Sequence, residues 1–179
     1  MSQNLHELVV RLTVEEDWKT LKAVRLESLL DSPDVFSATY ATAEKYSESQ
    51  WRDRASHKTQ YQYILAIEGT RAVGIIGGTQ NSALEFNVVA MWVKSEFRGC
   101  GIADLLISAI KELAISKGHY RIVLSVSPHN LRAVSFYSKH CFVFIPEWES
   151  LALSTGEKNQ KMECFLSPLS NAKRVDINN

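Results

Sequence analysis

The stretch Asn87-Val88-Val89-Ala90-Met91-Trp92-Val93-Lys94-Ser95-Glu96-Phe97-Arg98-Gly99-Cys100-Gly101-Ile102-Ala103 passes from a strand pattern to a helix pattern across a glycine-bearing turn. Residues 87–93 are apolar and rich in β-formers, with the charged Lys94-Ser95-Glu96 behind them, and read as a mostly buried strand. Downstream, Leu105, Leu106, Ala109, Ile110 and Leu113 recur at the three- and four-residue spacing of one apolar helix face. A strand, a turn and a helix start make an anion site, because the first N–H groups of a helix lack internal partners and lie at its positive end. Gly99 and Gly101 allow a bulky phosphate to approach the backbone without Cβ interference.

Upstream, Leu8–Leu12 reads as a first strand, and Thr13-Val14-Glu15-Glu16 has the spacing of a capping box opening a helix that Asp31-Ser32-Pro33 stops. Val14, Trp18, Leu21 and Leu29 fall near one face of that helix, with Arg25 on its edge, where a long basic side chain is expected to snorkel or pair. Residues 34–46 read as an irregular connection, and Ser47-Glu48-Ser49-Gln50 as a second capping box opening a short helix through Trp51 and Ala55. Two strand-like runs, 61–67 and 72–78, joined by Glu68-Gly69-Thr70-Arg71, predict a hairpin; a third strand from near Leu84 to Val93 completes an antiparallel meander. Because a helix intervenes, that third strand and Arg121–Val126 are expected to be parallel neighbours joined by a right-handed crossover. Ser127-Pro128-His129-Asn130 then turns into a short helix through Tyr137, followed by strands at 142–145 and 160–166.

The 179 residues, 45% apolar, are expected to form a single domain over 1–167 with a polar tail over 168–179. A net charge of zero argues against a general nucleic-acid-binding surface. Cys100, Cys141 and Cys164 form no CxxC pair and have no histidine at ligand spacing, so reduced thiols and no metal site are expected, in a cytoplasmic setting. The first residues lack the pattern of a secretory signal, and no run approaches a membrane span.

Phosphate motifs differ in the residues after their glycines. A P-loop needs a Lys-Ser/Thr pair after its last glycine, and Gly101 is followed by Ile102-Ala103. A dinucleotide fingerprint starting at Gly99 needs a small residue where Asp104 stands, and a carboxylate there would crowd a pyrophosphate. The pattern Arg/Gln-x-x-Gly-x-Gly/Ala is met by Arg98, Gly101 and Ala103, and Asn-x-x-Ala-x-x-x-Tyr by Asn130, Ala133 and Tyr137.

With the order of elements, these motifs resemble the GCN5-related N-acetyltransferase (GNAT) superfamily over about Leu8 to Leu166. The resemblance implies an α/β fold with a central, mostly antiparallel mixed sheet, one parallel splayed strand pair and flanking helices. It implies an enzyme that transfers the acetyl group of acetyl-CoA, its co-substrate, to a primary amine by direct attack in a ternary complex. It assigns the backbone of Arg98, Gly99, Cys100, Gly101, Ile102 and Ala103 to the coenzyme A pyrophosphate. Met91, Trp92 and Val93, on a strand expected to bulge, fall to the pantetheine amides, with an N–H near Met91 as oxyanion donor. Asn130 is assigned to the pantetheine arm, and Tyr137 to the acid that protonates the departing thiolate.

Glu85, on the strand leading to the turn, is the candidate base for the acceptor ammonium, against a reading as a solvated strand-end carboxylate; His129 is a second proton relay candidate. Phe36, Tyr40 and Tyr46 are packing residues that can double as a wall selecting the acceptor. A small-molecule amine is the first expectation for that acceptor, with Glu147 and Glu149 as a candidate acidic cluster for polycations; a protein lysine or amino terminus is the alternative. A non-catalytic acyl-CoA sensor is the reading of another class, and homodimers through the carboxyl-terminal strands are common in the family. Two departures stand out. Cys141-Phe142 replaces the family's Gly-Phe pair, which predicts an altered turn because cysteine resists the left-handed conformation; Ser95 replaces a frequent proline.

Overall fold

The computed structural model describes residues 8–33, 35, 38–150 and 158–167. Seven strands, β1 (Leu8–Leu12), β2 (Tyr61–Glu68), β3 (Arg71–Gln80), β4 (Phe86–Val93), β5 (Arg121–Val126), β6 (Val143–Ser150) and β7 (Lys158–Phe165), form one sheet in the order β1-β2-β3-β4-β5-β7-β6. Every neighbouring pair is antiparallel except β4 and β5, which are parallel as the intervening helix requires. The last strand inserts between β5 and β6, leaving β6 at the edge.

Helices cover the sheet unequally. On one face lie α4 (Ile102–Ser116) and α5 (Leu131–Lys139); the other is covered over β2, β3 and β4 by α1 (Trp18–Asp31), α2 (Tyr40–Glu44) and α3 (Glu48–Ala55). Two cores result. Ile102, Leu106, Ile107, Ile110 and Ala114 of α4 pack against Val73, Ile76, Phe86, Ile122 and Leu124. Leu21, Val24 and Leu29 of α1 and Trp51 of α3 pack against Leu65, Ile75, Ala90 and Trp92. Each fully buried Leu or Ile contributes roughly 1.5–3 kcal/mol. The buried stripe of α4 is rotated from the expected one, since Ile107 and Ala114 face the sheet while Leu105 is 49% exposed beside the glycine turn.

Local signals held where the partner is local. Ser47 Oγ accepts from Gln50 N at 3.2 Å and Gln50 Oε1 from Ser47 N at 2.8 Å, the second capping box. The first is corrected. Glu15–Asp17 is a 3-10 turn whose box partner is Asp17, accepting from Val14 N at 2.8 Å, while Thr13 is buried and donates to Ala55 O at 2.8 Å. A long-range bond claimed the hydroxyl that the four-residue spacing reserves for a cap. The connection expected over 34–46 contains α2, capped by Thr39, whose hydroxyl accepts from Thr42 N.

Cys141 also corrects an expectation. It takes the left-handed conformation (φ 69°), so the turn after α5 keeps its geometry with a side chain in place of glycine. The strain, about 1–2 kcal/mol for a non-glycine residue, is held by Cys141 N donating to Ser138 O at 3.1 Å and by the fully buried Phe142 beside it.

Candidate active site

The parallel pair defines a cleft. β4 and β5 are in register only at Phe86↔Ile122 and Asn87↔Val123. Beyond Asn87 the strands part, so the edge of β4 toward Val93 has no strand partner on the β5 side among the described residues. A bulge drives the parting. Gly77 pairs with Val89 and Ile75 with Trp92, so Ala90 and Met91 together oppose Ile76, and Ala90 carries the positive φ of 57°. The extra residue puts Val89 and Ala90 successively on the α1–α3 face and returns Met91 and Val93 to the α4 face. Unladdered backbone groups at a bulge are free to bind an extended ligand with amide groups of its own.

The end of β4 is stapled. Arg98 Nε donates to Val93 O at 2.8 Å and its Nη2 to Asp31 Oδ2 at 2.6 Å, and the same carboxylate oxygen accepts from Trp92 Nε1 at 2.8 Å. The indole and guanidinium bonds hold Asp31 below the usual carboxylate range. The Arg98 side chain therefore positions the turn, and its backbone is what remains for a ligand. No sequence signal marks Asp31 for this role, because it lies 61 residues from Trp92 and 67 from Arg98.

After that staple, Gly99 and Gly101 both have φ of 81°, with open space where a Cβ would stand. Conformation demands glycine here, and the space in front of the backbone stays accessible. Gly101 caps α4 without a side-chain bond. Among the described residues, the N–H groups of Gly99, Cys100, Gly101, Ile102, Ala103 and Asp104 donate to nothing. Such a run at the start of a 15-residue helix suits a pyrophosphate. The Asp104 carboxylate, expected to crowd a pyrophosphate, turns away: Oδ1 accepts from Lys139 at 3.1 Å and His140 Nε2 lies at 2.7 Å. These partners keep it below its ordinary value.

On α5, Asn130 is the N-cap, its Oδ1 accepting from Ala133 N at 3.2 Å, which leaves the Nδ2 donors. Tyr137 packs among the α4-face residues with its ring edge-on to Phe136 and Phe142, centroids 5.4 and 5.7 Å away. Burial pushes its phenol up to about 12. Its hydroxyl has no hydrogen-bond partner among the described residues.

Glu85 lies on the opposite face of the sheet, which no helix among the described residues covers over β5, β7 and β6. It accepts from Arg121 at 2.9 Å and Lys161 at 3.2 Å; Arg121 also binds Glu163 at 2.6 Å, and Lys161 lies 3.0 Å from Glu147 and 3.8 Å from Glu149. Burial pushes the Glu85 carboxyl up, but the two cations outweigh it and hold it below its ordinary value. The floor thus carries four carboxylates against two cations, with Glu147 and Glu149 partly neutralised by Lys161. Lys161 was not visible as a site residue, since only the insertion of β7 beside β5 brings it here. The wall expected from Phe36, Tyr40 and Tyr46 is placed in part: Tyr40 and Tyr46 pack into the α1–α3 core, and Phe36 lies outside the described residues. His129 is exposed, its backbone tied to Ser127. A surface hollow of about 360 Å³ beside Gln62, Gln80 and His119 sits at the start of β4, away from the bulge. Among the described residues no cluster could hold a metal ion, and no helix is long and apolar enough to cross a membrane.

Residues 25–142 match the family model described as the acetyltransferase (GNAT) family. Among solved structures, a GNAT-family acetyltransferase from Streptococcus pneumoniae superposes with a TM-score of 0.75 at 20% identity, over 90% of this chain and 100% of its own. The PaiA N-acetyltransferase of Thermoplasma acidophilum, solved in complex with coenzyme A, gives 0.66 at 21% identity over 89% and 99% of the two chains. The GNAT domain of PAT from S. lividans gives 0.69 at 18% identity over 88% and 89%. At these identities the neighbours speak to the fold. No curated protein matches the chain by sequence.

Proposed function

Because the chain belongs to the GNAT acetyltransferase family, whose enzymes use acetyl-CoA, we propose that it acetylates a primary amine of a small molecule by direct attack in a ternary complex. The observation that carries the reading is the coincidence of two unsatisfied backbone runs: the partnerless N–H groups of Gly99 to Asp104, and the edge of β4 left open by the bulge at Ala90. The first fits the pyrophosphate and the second the pantetheine amides, through Met91, Trp92 and Val93. An N–H near Met91 then serves the developing oxyanion of the thioester carbonyl, where one preorganised donor contributes about 3–4 kcal/mol. Asn130 Nδ2, whose partner Oδ1 is taken up in the cap, is the proposed donor to the pantetheine arm.

Tyr137 is the proposed donor to the departing sulfur. A phenol near 12 lies roughly 3.5 pH units above a thiol at about 8.5, so complete transfer is uphill by about 5 kcal/mol. The hydroxyl therefore acts by hydrogen bonding as charge grows on sulfur, and the thiolate leaves as such or takes its proton later from the acceptor ammonium or solvent.

The same comparison limits Glu85. An alkylammonium has a reference value near 10.4, and the Glu85 carboxyl is held below its ordinary value by Arg121 and Lys161, so direct proton transfer to it is strongly uphill. Glu85 is thus proposed to orient the amine and, through water, to take the proton that the nitrogen sheds as it attacks in its neutral form. Glu85→Gln is expected to lower kcat/KM about 10-fold by the same factor from pH 6 to 9, because the carboxyl titrates below that range. Unchanged kcat/KM would remove Glu85 from the reaction.

The deciding experiment is coenzyme A release, read as free thiol, across small amines, peptides with free lysine, and peptides with a free amino terminus. Turnover with small amines supports the proposal; turnover with peptides alone overturns the acceptor assignment, and tight acetyl-CoA binding without turnover overturns catalysis. The edge strand β6 exposes Phe144 and Trp148, which share the α4 face of the sheet. We assign this patch to a second copy of the chain. Light scattering is expected to give a dimer mass that Trp148→Glu converts to a monomer; a monomeric wild type at micromolar concentration rules the dimer out.

A further inference from the structure

The wall above the open floor is built around a cation. Arg54 of α3 places its guanidinium carbon 4.3 Å from the centroid of Tyr46 and 5.7 Å from that of Tyr61. Tyr61 and Tyr63 stack at 6.1 Å on β2, and Tyr46 meets Trp51 edge-on at 5.6 Å. A guanidinium held among aromatic rings loses its hydration, and that loss adds to the cost of its charge.

The hydrogen-bond accounting points the same way. Among the described residues, the buried side-chain polar atoms without a partner are Trp51 Nε1 and Arg54 Nε. Both are donors, both belong to residues in contact with Tyr46, and Trp51 is 1% exposed. Arg54 makes no ion pair among the described residues. Its cation–π contacts answer the charge and leave the Nε–H unanswered, so what is missing is an acceptor with negative charge. A planar carboxylate meets a guanidinium fork with two parallel bonds.

This wall adjoins the acetyl site. Tyr63 is in register with Gly77, which is in register with Val89, the residue before the bulge; a Cβ on Gly77 would touch both the Tyr63 ring at 3.1 Å and Val89 at 3.2 Å. Tyr61 likewise shares a row with Thr79, Asn87 and Val123. β2 and β4 are two strand spacings apart, about 10 Å. The acceptor region therefore has a cationic side over β2 and a carboxylate-rich floor across β4, β5 and β7.

We propose that the acceptor is an amino acid or other small amine bearing a carboxylate, which the Arg54 wall binds while the amine lies toward Glu85 and the bulge. This rests on the acetyltransferase reading and narrows its acceptor, and it disfavours polyamines, whose every charge the wall repels.

The test pairs amino acids of increasing chain length with their carboxamides and decarboxylated amines, and reads both coenzyme A release and direct calorimetric binding to the protein saturated with coenzyme A. Carboxylate-bearing members are expected to exceed their carboxamides at least about 10-fold in kcat/KM and in affinity, the scale of a charged hydrogen-bonded pair. Arg54→Gln should erase that ratio by lowering the acid and leaving the carboxamide nearly unchanged, and Arg54→Lys should restore part of it. Wild-type turnover that ignores the carboxylate, or follows the decarboxylated amine, overturns this inference while leaving acetyl transfer intact. Selective carboxylate binding without turnover of any amine supports the anion site and overturns acetyl transfer instead. Absence of carboxylate-selective binding in the wild type overturns the inference whether or not the variants fold.

Discussion

Gly101→Val is expected to raise the dissociation constant for acetyl-CoA about 100-fold, the loss of roughly two charge-assisted hydrogen bonds at about 1.5 kcal/mol each. Gly101 sits at φ 81°, ψ 0° with nothing within 4 Å of a would-be Cβ, so the substitution acts through backbone conformation and not through crowding. A β-branched residue resists that conformation more than alanine does, and relief requires the peptide units on either side to rotate. Rotation there re-aims the N–H groups of Gly101 and Ile102 that begin α4. Calorimetric titration with coenzyme A measures the effect. The buried stripe of α4 from Ile102 to Ala114 is unchanged, so far-ultraviolet circular dichroism should show the native helix content and separate lost binding from lost folding. Affinity within a factor of two of wild type would exclude this turn as the phosphate site.

Tyr137→Phe is expected to lower kcat by about 100-fold or more, with little change in acetyl-CoA affinity. Only the hydroxyl is removed, and the ring contacts with Phe136 and Phe142 persist. With a phenol near 12, the wild-type donor stays protonated throughout the working range, so the kcat profile should show no alkaline loss from Tyr137 below about pH 11. The shift also carries a stability signature. A folded value near 12 against about 10 unfolded means that the contribution is complete below pH 10 and lost as pH rises toward 12. Urea denaturation between pH 9 and 12 should show that alkaline loss in the wild type and less of it in Tyr137→Phe. Single-turnover rates equal to wild type, with a substrate whose chemistry is limiting, would falsify the donor role.

The features read correctly from the sequence share one trait: each is encoded within a few residues. The alternation of β2 and β3, the Ser47–Gln50 box, the 3.6-residue period of α4 and the glycines of the turn are local, and their physics comes from neighbours along the chain. The expectation for Thr13 failed for the converse reason, since Ala55 O, 42 residues away, took its hydroxyl. At Cys141 a local preference was overridden, because Phe142 buried in the core and the bonds closing α5 hold the left-handed turn. The rotated face of α4 shows a milder version: periodicity identifies a stripe, and the two-sided packing of β3, β4 and β5 beneath it selects which stripe is covered.

By itself, then, the sequence determined that a strand, a glycine turn and a helix make an anion site, and that Ile102-Ala103 after Gly101 disqualify the P-loop. Those conclusions need only backbone geometry and residue identity over about seventeen positions. Tertiary structure alone decided where β4 bulges, that Asp31 and Arg98 staple its end, that Asp104 turns toward α5, and that Glu85 shares its charge with Arg121 and Lys161. It also gathered Arg54, Trp51 and three tyrosines from α3, β2 and the segment before α3 into one wall. The physical reason is that proton affinity and hydrogen-bond satisfaction depend on distances in space, and the residues that set them here lie tens of positions apart along the chain.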